Sequence, residues 1–179
     1  MQLFKYRWAV PIIAMLHKKH GGRYVSLRGE LGMSRSMLGS TIETLIDCGL
    51  VIKNPGYGHP LRPELILTPL GEKMGPFCVE FVELVQKKEL HFLLQNKWAS
   101  PIIFKTGKEK IRFNEYKKNL KPITSRALSE SLNLLVSEDV VTKKILTTNK
   151  VEITYQLPRK YFSLCSPYFN HLQVVGSYI

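Results

Sequence analysis

Trp8-Ala9-Val10-Pro11-Ile12-Ile13 recurs as Trp98-Ala99-Ser100-Pro101-Ile102-Ile103, ninety residues further along, with five of the six positions identical. The likeness continues in order. Arg23-Tyr24 and Leu31 correspond to Arg112-Phe113 and Leu120 at a separation of 89, and Leu38, Leu45, Val51 and Lys53 correspond to Leu128, Leu135, Val141 and Lys143 at 90 again. One extra residue near Pro122 accounts for the return to 90. An ordered series of apolar and basic matches over about half the chain marks a duplication. The sequence therefore predicts two units, residues 1–90 and 91–179, meeting inside or at the end of a connecting helix.

Within the first unit, Pro11 suits the first turn of a helix, where an N–H is not needed, and Ile12, Ile13 and Leu16 supply its buried face. The second copy places Ser100 as an N-cap with Pro101 at the first helical position. Gly21-Gly22 breaks the first helix, Val25 to Leu31 forms a short second one, and Gly32 ends it. Ser34 caps a third helix whose apolar residues Met37, Leu38, Ile42, Leu45 and Ile46 recur at helical spacing until Cys48-Gly49. Its counterpart starts at Thr124 and buries Leu128, Leu132 and Leu135.

Leu50-Val51-Ile52 and Leu65-Ile66-Leu67, joined through Asn54 to Pro63, read as a β-hairpin. The second hairpin joins Val140 to Leu146 with Val151 to Leu157 through Thr147-Thr148-Asn149-Lys150. Three short helices followed by a hairpin is the order of a winged helix-turn-helix. Each unit then ends in a helical apolar stripe, Phe77, Phe81, Leu84 and Val85 in one, and Tyr168, Phe169, Leu172 and Val175 in the other. Such stripes need a partner, and the other copy is at hand. The expected fold class is mainly helical α+β, two tandem winged helix-turn-helix domains arranged as an intramolecular pseudo-dimer.

The chain of 179 residues carries a net charge of +12. Twelve Lys and Arg stand against eight Asp and Glu in residues 1–90, and fourteen against six in residues 91–179. A surplus in both halves suits a polyanion such as duplex DNA. With 44 % hydrophobic and 22 % charged residues, a packed core is expected. Cys48, Cys78 and Cys165 are odd in number and far apart, without a CxxC pair, which fits a reducing cytoplasm. No apolar run approaches the length of a membrane span, and with polar residues so soon after Met1 no signal peptide is expected. No GxSxG, HExxH, P-loop or GxGxxG motif occurs, so neither an enzyme nor a cofactor is expected.

These residues resemble the HxlR-type branch of winged-helix transcriptional regulators. The resemblance rests on Arg7-Trp8, Arg23-Tyr24, Ser34-Arg35, Gly49-Leu50-Val51 and the run Pro60-Leu61-Arg62-Pro63-Glu64-Leu65-Ile66-Leu67-Thr68-Pro69-Leu70-Gly71. The second unit keeps Lys97-Trp98, Arg112-Phe113 and the segment from Thr124 to Val141, but lacks the Gly-Leu pair and the motif leaving the wing. The resemblance implies DNA binding by paired recognition helices in successive major grooves, with wings along the flanking minor grooves. Members that sense oxidants do so through a cysteine near the N-terminus. Met1 to Arg7 contains none, so redox sensing is not expected here.

Candidate DNA contacts are Ser34, Arg35, Ser36 and Ser40 in the first recognition helix and Thr124, Ser125, Arg126 and Ser129 in the second. Small polar residues at a helix N-terminus allow close approach to phosphate and base edges. Arg62, Lys144 and Lys150 are candidates in the wings. Caps and solvated side chains are the structural alternative for each. Trp8 and Trp98 are expected to pack in the cores. His17, His20 and Cys48 lack a fourth ligand at recognisable spacing, so no metal site is expected. The partner is double-stranded DNA, bound by a monomer with internal pseudo-two-fold symmetry, with further dimerisation left open. The rival reading is a protein-interaction adaptor on the same scaffold. Single-stranded RNA binding lacks an aromatic platform.

Overall fold

The computed structural model describes residues 3–54, 64–107, 109–147 and 151–175. Helix α1 (Ala9–Lys19) carries Pro11 in its first turn, where a missing N–H leaves no acceptor unmet, and Ile12, Ile13 and Leu16 are fully buried. His20, at φ 54°, ends it. Strand β1 (Gly22–Arg23) leads into α2 (Tyr24–Leu31), which Gly32 closes at φ 62°. The Ser34 hydroxyl accepts from the Met37 N–H at 3.2 Å and caps α3 (Arg35–Asp47). Strands β2 (Val51–Asn54) and β3 (Glu64–Leu67) pair antiparallel, Val51 opposite Leu67 and Asn54 opposite Glu64. Addition of β1 to the other side of β3 gives the sheet order β1-β3-β2.

Thr68 caps the 19-residue helix α4 (Pro69–Lys87), accepting from the Gly71 N–H at 3.1 Å while donating to the Gly49 carbonyl at 2.6 Å. Close packing of α4 is bought with glycine. A Cβ at Gly71 would lie 2.1 Å from the Leu50 carbonyl oxygen, and one at Gly75 would lie 2.2 Å from Nδ1 of His17. A short α5 (Phe92–Gln95) precedes the second series: α6 (Ala99–Thr106), β4 (Lys110–Arg112), α7 (Phe113–Asn119), α8 (Ser125–Ser137), β5 (Thr142–Thr147) and β6 (Val151–Gln156). Its sheet order, β4-β6-β5, has the same connectivity as the first. A 3-10 segment (Arg159–Cys165), α9 (Ser166–Asn170) and α10 (Leu172–Val175) follow.

Three local expectations are corrected. Ser100 is not an N-cap: it is buried and donates to the Leu93 carbonyl at 2.8 Å. Asn96 caps α6 instead, its Oδ1 accepting from the N–H groups of Trp98 and Ala99 at 3.0 and 3.1 Å. Each hairpin gains a third strand, β1 or β4, too short to show a period. Finally, the C-terminal stretch is not one helix like α4. Pro158 and Pro167, without N–H donors, punctuate it, and Phe169 and Leu172 stay 51 % and 44 % exposed.

The apolar residues of both series form one core that runs across residue 90. At its centre Phe4, Phe77, Phe81 and Phe104 meet with ring centroids 5.2 to 6.3 Å apart, and Tyr168 stacks on Phe104 at 5.1 Å. The stripe on α4 therefore buries against residues from the second half of the chain.

Candidate nucleic-acid interface

Helices α2 and α3, and again α7 and α8, follow one another across a tight turn, as a helix-turn-helix requires. Each second helix buries one face and leaves the other in water. On α3, Leu38, Thr41, Ile42 and Leu45 are buried, whereas Ser34, Arg35, Ser36 and Ser40 are exposed. On α8, Leu128, Ser131, Leu132 and Leu135 are buried, whereas Thr124, Ser125, Arg126 and Ser129 are exposed. The spacing of the buried residues fixes this orientation, because the chain must bury its apolar stripe.

These side chains are not equally available. Ser34 and Thr124 are engaged as caps, the latter accepting from the Ala127 N–H at 3.2 Å. Ser36 Oγ lies 3.2 Å from Ser34 Oγ, and Ser40 donates to the Met37 carbonyl at 3.1 Å. Arg126 donates through Nε to Glu130 at 2.8 Å, one helical turn away, and that carboxylate holds the guanidinium still more firmly protonated. Both members are exposed, Arg126 by 88 %, so the pair is weak and separable. Among the described residues Arg35 has no ion pair, and the hydroxyls of Ser125 and Ser129 have no hydrogen-bond partner. Lys144 lies exposed on β5, opposite Thr154. Arg62 and Lys150 lie outside the described residues.

The structure adds cations that the sequence reading passed over. Lys117 and Lys118 on α7 and Lys121 in the following turn are exposed, beside α8. The corresponding positions of the first series are Arg28, Gly29 and Gly32. Residues 24–47 carry Arg28 and Arg35 against Glu30, Glu43 and Asp47, whereas residues 113–137 carry Lys117, Lys118, Lys121 and Arg126 against Glu115 and Glu130. The second helix-turn-helix is thus cationic and the first slightly acidic. The run Tyr116-Lys117-Lys118-Asn119-Leu120-Lys121 carried this signal once aligned to its counterpart. Arg112 and Glu152, paired at 2.6 Å, tie the start of α7 to β6.

Among the described residues neither thiol nor imidazole chemistry gathers elsewhere. Cys78 is fully buried, and burial pushes its thiol far above the usual range. Cys165 donates to the Ile103 carbonyl at 3.4 Å. His17 meets Glu72 at 2.7 Å, and among the described residues no group of three His, Cys, Asp or Glu could hold a metal ion. No helix among the described residues is long and apolar enough to cross a membrane.

Residues 93–177 match the family described as HxlR-like helix-turn-helix. That is a family of transcriptional regulators, not of enzymes. Among solved structures, the chain is similar to a MarR-family transcriptional regulator from Porphyromonas gingivalis W83, with 21 % identity and a TM-score of 0.44 over 51 % of this chain and 88 % of that one. It is also similar to the reduced form of the transcriptional regulator YodB from B. subtilis, with 24 % identity and a TM-score of 0.43 over 51 % of this chain and 89 % of that one. No curated protein matches it by sequence. The chain is a mainly helical α+β protein with winged helix-turn-helix elements, similar over residues 93–177 to the HxlR-like helix-turn-helix family.

Proposed function

We propose that this protein is a sequence-specific, duplex-DNA-binding transcriptional regulator of the cytoplasm, built from two tandem winged helix-turn-helix units, residues 1–90 and 91–179. The units form an intramolecular pseudo-dimer, so that one monomeric chain presents two recognition helices, α3 and α8. The observation that carries the reading is the exposed polar face on α3 and on α8, each at the same place in a repeated order of elements. The family match over the second half supports it.

The units divide the work unequally. Phosphate neutralisation comes mainly from the second, through Lys117, Lys118, Lys121 and Lys144, with Lys150 at its wing. Arg35, Ser36 and Ser40 in the first unit, and Ser125, Arg126 and Ser129 in the second, read base edges. Ser34 and Thr124 orient their helices as caps, and Arg62 serves the first wing. Selection of a preferred site from a random duplex pool tests the reading. Arg35→Ala and Arg126→Ala should each weaken binding to that site roughly ten- to a hundredfold, and less on unrelated sequence. Equal losses on every sequence would assign both residues to phosphate alone.

One observation favours an adaptor as the second reading: on the second hairpin Ile145 and Val151, which share one face of the sheet, are 58 % and 68 % exposed, an apolar surface of the kind that docks protein. Absence of duplex binding at low salt would select it.

A further inference from the structure

A cleft of about 510 Å³ opens between α1, the end of α2, α4 and α5. Its floor is apolar, from Ala14, Met15, Val79, Val82 and Leu94, and Trp8 forms one wall. That volume and lining are those of a small-molecule site. The sequence repeat shows why the space exists. Ninety residues beyond Ala14 stands Phe104, which fills the aromatic centre of the core together with Phe4, and ninety residues beyond Phe4 stands Leu94. Where one copy of the arrangement has two phenylalanines, the other has alanine and leucine, and both line the cleft.

The rim is cationic, and its charges are not equally satisfied. Lys18 pairs with Glu83 at 2.6 Å, and Lys19 pairs with Glu30. Arg7 lies 4.9 Å over the Trp8 ring, is exposed, and among the described residues meets no carboxylate. One uncompensated guanidinium beside an aromatic wall and an apolar floor suits a flat apolar body bearing a single acid group, which a guanidinium holds through two parallel hydrogen bonds.

We propose that this cleft binds a small organic monoanion, its carboxylate on Arg7 and its apolar body over Ala14, Val82 and Leu94. Glu30 and Leu31, at the end of α2, also line the cleft, so an occupant contacts the helix-turn-helix directly. Occupancy is thereby linked to DNA affinity, and reciprocally. This linkage rests on the proposed DNA binding; the ligand site does not.

The test is calorimetric titration of the full chain with 2-naphthoate, and with 2-naphthamide as the neutral isostere. The expected result is saturable binding of one naphthoate per chain, with the amide at least about tenfold weaker. Ala14→Phe, which puts the residue of position 104 into the cleft, should abolish binding. Arg7→Gln changes an exposed side chain, leaves the fold intact, and should weaken binding at least about tenfold. No saturable binding up to about 5 mM, beyond the ordinary millimolar range, overturns the site; so does naphthoate binding that Arg7→Gln leaves unchanged. Saturating naphthoate should shift the duplex Kd of the wild type by about fivefold or more. Naphthoate binding with no such shift overturns the linkage alone. Naphthoate binding by a protein that never binds duplex refutes the DNA-binding reading and leaves the ligand site standing.

Discussion

Replacing Lys117, Lys118 and Lys121 together by alanine removes three exposed cations from α7 and its turn and touches no buried side chain. The fold should therefore be unchanged, because surface substitutions away from caps and cores generally fall within about 0.5 kcal/mol. The effect on duplex binding is large. Each neutralised phosphate contributes about 0.9 to the slope of log K against log salt, so the triple variant should lose about 2.7 from that slope. Extrapolated from about 1 M salt, where this contribution vanishes, to about 0.1 M, the same three contacts amount to about 2.7 decades, or roughly 500-fold in affinity. Arg28→Ala, at the position corresponding to Lys117, should lower the slope by at most about 0.9. Fluorescence anisotropy with a labelled random duplex at four or five salt concentrations measures both. A triple variant whose slope falls by less than about 1 would refute the division of labour between the two helix-turn-helix segments.

Glycines test packing. Gly71→Ala should destabilise by about 3 kcal/mol in urea melts, since its Cβ would meet the Leu50 carbonyl oxygen at 2.1 Å and that carbonyl is held by the Thr68 N–H at 3.0 Å. Gly39, on α3, has nothing within 4 Å of a built Cβ, so Gly39→Ala should stabilise by about 0.5–1 kcal/mol. If α3 approaches a groove closely, the same variant binds its preferred duplex more weakly; tighter binding would contradict that approach. Tyr116→Phe removes a buried hydrogen bond of 2.6 Å to Thr106, which keeps its bond to the Ile102 carbonyl, so the expected cost is only about 0.5–1.5 kcal/mol. The Cys78 thiol, buried and held protonated, should resist iodoacetamide at pH 8 until the chain unfolds, as peptide mass spectrometry can follow.

Much of the architecture was readable because burial imposes a period. The α3 and α8 helices announce themselves through Leu38, Ile42 and Leu45 and through Leu128, Leu132 and Leu135, with Ser34 and Thr124 as caps. What escaped was either too short or decided by tertiary contact. Strand β1 spans two residues, too few to alternate, and β4 spans three, where buried Ile111 between exposed Lys110 and Arg112 is too brief a pattern to mark a strand. Ser100 has the composition of a cap, yet the turn after α5 brings Asn96 to the helix end first. Tyr168 stacks on Phe104 and is buried, whereas Phe169 packs edge-on against Tyr168 yet stays half exposed, as Leu172 does, which period alone does not reveal. At the interface the polar faces were legible, whereas the ion pair between Arg126 and Glu130 and the surplus of exposed charge at Lys118 and Lys121 became clear only with exposure and alignment.

The central claim is that one chain binds duplex DNA through two helix-turn-helix units. Titration of a labelled random-sequence duplex at two salt concentrations, with the solution mass of the free and bound protein measured by light scattering, tests it most directly. The account predicts one chain per duplex and an affinity that falls steeply with salt. Two chains per duplex would contradict the intramolecular pseudo-dimer, and no binding at low salt would contradict the DNA-binding function itself.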